Sequence, residues 1–202
     1  MDKWTNASGS YDLSENTYIN MFADDAKIQR RIKDSSSCKE LQEDINKIKT
    51  WSTKWKMDFN VEKCHVVRFG ESKKRPVWEY KMGDEKIPSA DKEKDLGVII
   101  QEKLDPEDHI NQITSKMYHL LANMKTAFTY VDADMVRKII TTYIRPQLEY
   151  ASVVWNPYHV NDEDKLERIQ RAATRWAPEL RDLTYEGRLK ALNLPSLKQW
   201  TV

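Results

Sequence analysis

The sequence predicts an α+β chain. Three observations predict it: strand alternation and hairpin signals confined to the first half, a change near Leu104 to long helical apolar stripes, and enough apolar content for a packed core. Hydrophobic residues make up 40% of the 202 residues and aromatics 10%, which fits a globular chain rather than a disordered one. The reading divides the chain into a polar, disordered lead-in over 1–16, an α+β part over 17–102 and an all-helical part over 103–202.

Tyr18-Ile19-Asn20-Met21-Phe22 reads as a short strand. Ala23-Asp24-Asp25 then turns the chain, and Ala26 to Ile32 alternates in strand fashion, giving a hairpin with two aspartates at its tip. Ser37 to Glu40 is an S-x-x-E capping box, followed by Leu41, Ile45, Ile48, Trp51 and Trp55 at helical spacing. This helix is expected to end near Met57. Val61 to Phe69 is β-branched and short, hence a strand closed by Gly70. Gly83-Asp84 is a hairpin turn between Val77–Met82 and Glu85–Ile87. Leu96 to Ile100 is another short strand.

The helical half starts at Asp105-Pro106, read as N-cap and first helical position. Ile110, Ile113, Met117, Leu120, Leu121, Met124 and Phe128 form one stripe. A second helix starts at Asp132–Asp134, carries Met135, Val136, Ile139, Ile140 and Tyr143, and meets Pro146, which kinks or ends it. Asp162 caps a third helix with Leu166, Ile169, Ala173 and Trp176. A short fourth helix covers Tyr185 to Leu192.

Charged residues are 32% of the chain, yet the formal net charge is +1, so any surface for a polyanion must be local. Two cysteines, Cys38 and Cys64, give neither a disulfide framework nor zinc spacing. Residues 1–20 lack an apolar signal-peptide core, and no apolar run reaches the length of a membrane span. The expectation is an intracellular chain, nuclear or cytoplasmic, neither secreted nor membrane-bound.

Asp24 and Asp25 are the sharpest chemical feature. Adjacent carboxylates at a hairpin tip repel each other unless cations neutralise them. Hard oxygen donors of this kind suit Mg²⁺ or Mn²⁺, and polymerases use such a tip to hold two metal ions. A basic edge is the second feature. Lys165, Arg168, Arg171 and Arg175 recur at helical spacing, where phosphate contacts give salt-sensitive, sequence-independent binding. Lys73-Lys74-Arg75 and Arg30, Arg31 and Lys33 form two smaller clusters. Glu163, Glu167 and Glu179 partly offset the helical edge. Trp155, Trp176 and Tyr150 sit in register with Leu and Ile, which favours packing over base stacking.

Several ordered segments together resemble the reverse transcriptases of non-LTR retrotransposons, jockey-like elements in particular. Phe22-Ala23-Asp24-Asp25 resembles their (Phe/Tyr)-Ala-Asp-Asp box. Trp51-x-x-x-Trp55-x-x-x-Phe59-Asn60-x-x-Lys63-Cys64 resembles the next palm motif, and Lys94-Asp95-Leu96-Gly97-Val98 the hairpin that grips the primer. Tyr143-Ile144-Arg145-Pro146-x-Leu148-x-Tyr150, Trp155-x-Pro157 and Leu166-Glu167-x-Ile169-Gln170-x-x-Ala173-Thr174 resemble the thumb. The similarity runs from about Tyr18 to Gln199.

The resemblance implies a partial polymerase palm followed by a helical thumb. It implies that Asp24 and Asp25 are metal ligands for Mg²⁺ (or Mn²⁺), and that Lys63 neutralises the leaving pyrophosphate. Leu96 and Gly97 would approach the primer, and the partners would be an RNA/DNA template–primer duplex and a dNTP. It leaves room for association with other retroelement proteins. The family also needs fingers and an earlier palm strand with another metal-binding aspartate, which lies farther upstream than the 23 residues that precede Asp24. The expectation is therefore a polymerase fragment that does not synthesise DNA alone. The rival readings are a non-catalytic nucleic-acid-binding module and a functionless truncated relic.

Overall fold

The computed structural model describes residues 13–70 and 76–200. Most of the expected disordered lead-in and the Lys73-Lys74-Arg75 cluster lie outside the described residues. The chain is α+β, with two compact units that divide between Asp91 and Lys92. That division falls before the strand pair preceding Leu104, which belongs with the helical residues because Val98 is buried in their core.

In the first unit, β1 (Thr17–Phe22) and β2 (Asp25–Arg30) form an antiparallel hairpin with Phe22 opposite Asp25. The long helix α1 (Ser35–Trp55) follows. Its N-cap is Asp34, not Ser37: the Asp34 carboxylate accepts the Ser37 N–H and hydroxyl, both at 2.8 Å. The S-x-x-E pattern fits a box one turn later, but the aspartate three residues before Ser37 is the stronger acceptor. Lys56 ends the helix in the left-handed region at φ 56°. Cys38 and Ile45 of α1 pack with Val61, Tyr80, Met82 and Ile87 to make this unit's core.

The predicted strand from Val61 to Phe69 does not form as such. Asn60 accepts the Glu62 N–H and starts a 3-10 turn, Val61–Lys63, which leaves a two-residue strand β3 (Val66–Val67). β4 (Lys81–Met82) and β5 (Glu85–Lys86) make the expected hairpin around Gly83, at φ 66°. β6 (Ser89–Ala90) pairs in parallel with β3.

The second unit opens with the antiparallel pair β7 (Lys92–Asp95) and β8 (Val98–Gln101). Leu96 and Gly97 are therefore the turn and not strand residues. A two-residue turn of this kind needs positive φ twice, and they adopt 45° and 91°. Helix α2 (Glu107–Ala127) starts one residue later than predicted: Pro106 stands at the N-cap, and the Asp105 carboxylate before it accepts the Glu107 N–H at 3.0 Å. Its Ile110, Met117 and Leu121 are buried. Each such side chain contributes about 1.5–3 kcal/mol by leaving water.

Helix α3 (Ala133–Ile139) is capped by Asp132, whose carboxylate accepts the Met135 N–H. It widens into a π-turn, Ile140–Ile144, before α4 (Arg145–Glu149). The widening answers Pro146, which has no N–H and whose ring would strike the carbonyl four residues back. The helix accordingly neither ends nor breaks there. After α5 (Ser152–Trp155) comes α6 (Val160–Ala173), which begins before Asp162. Asp162 is a buried first-turn residue rather than the cap. α7 (Tyr185–Leu192) is capped by Thr184, and a 3-10 helix covers Leu197–Trp200. Leu166, Ile169 and Ala173 of α6 face α2 and the π-turn in one core with Val98 and Leu192.

Candidate catalytic hairpin and nucleic-acid interface

The tightness of the first turn decides where the two aspartates stand. Because Phe22 pairs with Asp25, only Ala23 and Asp24 form the loop, and Asp25 opens β2. Both carboxylates are exposed. Ala23 is held at φ 52°, a left-handed conformation that costs a Cβ-bearing residue roughly 1–2 kcal/mol. Tyr18 and Phe22 share one strand face with Asn20 and are 64% and 63% exposed; Gln29, Lys27 and Asp25 stand opposite, so this face of the hairpin is uncovered and mixes aromatic with polar side chains.

The hairpin is fixed from its other end. Arg30, whose side chain is 6% exposed, donates to the Thr17 hydroxyl at 2.6 Å, to the Glu15 carbonyl at 3.0 Å and to the Glu40 carboxylate. It also lies 3.9 Å from the buried carboxylate of Asp44. Burial alone raises the Asp44 carboxyl, but hydrogen bonds from Thr17, Ser14 and Lys47 outweigh it and bring it below the ordinary carboxylate range. Arg30 therefore belongs to the hairpin's anchorage on α1 and not to a basic surface, as its place beside Arg31 and Lys33 had suggested.

Lys63 is exposed and closes the 3-10 turn that Asn60 caps and whose Val61 is buried, rather than lying within a strand. Cys64 is half-buried and its thiol is pushed up by burial; Cys38 is buried, and both are free. Among the described residues no group of three or more His, Cys, Asp or Glu side chains is arranged to hold a metal ion. The oxygen chemistry of Asp24 and Asp25 suits Mg²⁺, but the donor set described is smaller than a two-metal centre requires.

In the second unit, the Leu96–Gly97 turn is exposed and held by Tyr150, whose hydroxyl donates to the Leu96 carbonyl at 3.0 Å. The Tyr150 ring is 3.6 Å from where a side chain on Gly97 would begin. Below the turn, the Ile99 N–H donates to His109 Nδ1 at 3.2 Å. His109 is 2% exposed and stacks 5.0 Å from Trp155, and burial, then Lys94, holds it below the usual imidazole range. Trp155 is buried and donates to the Tyr150 carbonyl at 2.7 Å, while Trp176 packs 6.3 Å from Phe128. Trp155 is packed in the core as its register predicted and Trp176 is half-buried, whereas Tyr150 is 55% exposed.

The predicted basic edge separates into two parts. Lys165 is engaged, bonded to Asp162 at 2.8 Å and to Asn111 at 2.9 Å, with Glu107 at 3.5 Å. The Asp162 contact, assisted by Glu107, raises its ammonium above the ordinary range. Arg168, Arg171 and Arg175 stay exposed. Sequence reasoning passed over Arg188, buried at 2% exposure, and counted Glu167, also at 2%, as an acid offsetting the basic edge, whereas it is turned inward. No short motif marks Arg188, since its partners come from other segments.

No protein-family model matches this chain, and neither a curated protein nor a solved structure matches it. Among the described residues no helix is long and apolar enough to cross a membrane.

Proposed function

We propose that this chain is the later palm and the thumb of an RNA-directed DNA polymerase of the non-LTR retrotransposon kind, which grips a template–primer duplex but does not extend it unaided. The observation that carries the reading is the hairpin. Asp24 and Asp25 stand in the open at a two-residue turn, in the (Phe/Tyr)-Ala-Asp-Asp context that suggested the family. Support for gripping comes from the exposed Arg168, Arg171 and Arg175 and from the exposed Leu96–Gly97 turn. Full synthesis would use Mg²⁺ or Mn²⁺ and a dNTP.

The test is primer extension on an RNA template with Mg²⁺ or Mn²⁺, beside an Asp24→Ala control, with duplex binding measured on the same samples. Binding that weakens steeply with salt and no extension are expected from both proteins. Extension that disappears in the control would overturn the incompleteness. A chain that binds no duplex at low salt would overturn the gripping role. A non-catalytic binding module is the second reading, favoured by the same exposed arginines; it predicts that Asp24→Ala leaves metal-dependent dNTP binding unchanged.

A further inference from the structure

Among the described residues Arg188 is a buried cation with no ion-pair partner. Its side chain is 2% exposed. Nε donates to the Thr174 hydroxyl at 3.0 Å and Nη1 to the Leu183 carbonyl at 2.7 Å. The remaining nitrogen, Nη2, is buried and has no hydrogen-bond partner. Among the described residues no carboxylate forms an ion pair with this guanidinium. A buried charge is ordinarily paired, because the desolvation cost is otherwise uncompensated.

The surroundings add positive charge instead. Thr174 lies between Arg171 and Arg175, and its hydroxyl donates to the Arg171 carbonyl at 3.0 Å, so Arg188 is docked under the turn that carries both. The Arg171 guanidinium sits 4.7 Å from the centroid of the Tyr185 ring, and that of Arg188 sits 5.5 Å from the same centroid. Burial first, then Arg175 and Arg171, lower the proton affinity of Arg188, with Tyr185 and Glu186 acting the other way. Glu167 is close to Tyr185 but is occupied by Tyr185, Ser196 and the N–H groups of Leu197 and Lys198. Three like charges gathered round one turn, the innermost with an unused donor, are what an oxyanion would stabilise.

We propose that Arg171, Arg175 and Arg188 form a phosphate-binding site at the junction of α6 and α7. It takes a phosphate group, either of a nucleic-acid backbone or of free phosphate. The exposed Arg171 and Arg175 meet the anion, and the buried Arg188 supplies fixed charge beneath them. The backbone arm rests on the duplex-gripping reading; the free-phosphate arm does not.

Two measurements on the full chain separate these. Melting in sodium phosphate is compared with melting in sodium chloride at equal ionic strength and pH. Phosphate should raise Tm by about 3 °C beyond chloride in the unaltered chain. It should do so equally in Arg181→Gln, an exposed arginine outside the cluster. The gain should vanish in Arg175→Gln and shrink in Arg188→Lys. Arg175 is exposed, so its substitution tests the site even where an Arg188 variant folds poorly. Binding of an RNA–DNA duplex is then followed against salt, where Arg175→Gln should lower the log–log slope by about 0.9 and Arg181→Gln should not.

Phosphate stabilisation lost in Arg175→Gln, without duplex binding, would establish the free-phosphate arm and sink the gripping reading. Duplex binding whose slope ignores Arg175, with no phosphate-specific stabilisation, would sink the site and leave that reading standing. An equal phosphate gain in every variant would also overturn the site.

Discussion

Replacing Glu167 tests how the last described segment is held. Its carboxylate lies on α6, almost fully buried, and takes four donors. The Tyr185 hydroxyl reaches Oε1; the Leu197 N–H at 2.9 Å, the Ser196 hydroxyl at 3.2 Å and the Lys198 N–H at 3.3 Å reach Oε2. In Glu167→Ala all four lose their acceptor. Lys198 is exposed and regains water, and the Ser196 hydroxyl can rotate. Tyr185 and Leu197, both half-buried, remain, and each such donor left unpaired costs about 1–3 kcal/mol. The expected loss is about 3–5 kcal/mol, a large part of a domain's stability. Glu167→Gln keeps one carbonyl acceptor and should lose about half as much. Guanidinium unfolding at constant m measures both, and amide exchange at Leu197 and Lys198 locates the effect. Burial, then Glu167, raises the Tyr185 phenol, so its titration should move down in the Ala variant. A loss under about 1 kcal/mol, or equal losses for Ala and Gln, would refute this account.

His109 makes the second unit acid-sensitive. Its folded-state pKa lies below the unfolded value near 6.5, so below pH 6.5 the unfolded chain takes a proton that the folded chain refuses, and stability falls by up to about 1.4 kcal/mol per pH unit until the folded value is reached. His109→Asn keeps an acceptor for Ile99 and should flatten that part of a pH series of denaturant melts; an unchanged acid slope would count against it. Leu96 at φ 45° precedes Gly97 in a turn that prefers Asn-Gly, so Leu96→Asn should stabilise by about 1 kcal/mol, seen as a raised denaturant midpoint, and a lowered one would contradict the turn assignment. Arg30→Met leaves the buried Asp44 carboxylate without its arginine and should cost about 3–5 kcal/mol, with amide exchange across β1 and β2 rising first.

Much of this fold is legible in the sequence because it rests on near neighbours. The Asp24–Asp25 hairpin follows from alternation on either side of a short polar break, and α2 from seven apolar positions at helical spacing behind Asp105-Pro106. Legibility fails where one residue type serves two local structures. Val61 to Phe69 carries strand-type residues, but the Asn60 side chain captures the Glu62 amide and turns the chain before the strand can form. Leu96-Gly97 reads as strand by composition, and only the Phe22-type closure seen at the first hairpin, here between Asp95 and Val98, makes it a turn. It fails again where partners are remote. Arg30 and Glu167 look like surface charge until Glu40 and Asp44 meet the one and Tyr185 and the Leu197 amide the other, and Arg188 carries no local pattern at all.

The same remoteness changes the charge that α6 presents. By sequence, its acidic residues offset its basic ones, and the chain as a whole is nearly neutral. In the folded unit most of the acids on and just after this helix already hold a partner, Glu163 apart. Asp162 holds Lys165, Asp164 holds Lys198 at 2.8 Å, Glu167 is turned inward to the last described segment, and Glu179 accepts the Ala133 N–H at 2.7 Å. An acid that already stabilises a cation or an amide screens its neighbours less than a count of charges implies, because its field is largely cancelled at short range. Arg168, Arg171 and Arg175 are left with less opposition than the composition suggests. A surface for a polyanion can therefore arise on a chain of net charge +1 without any added lysine or arginine, by folding its carboxylates away from the cations they accompany in sequence.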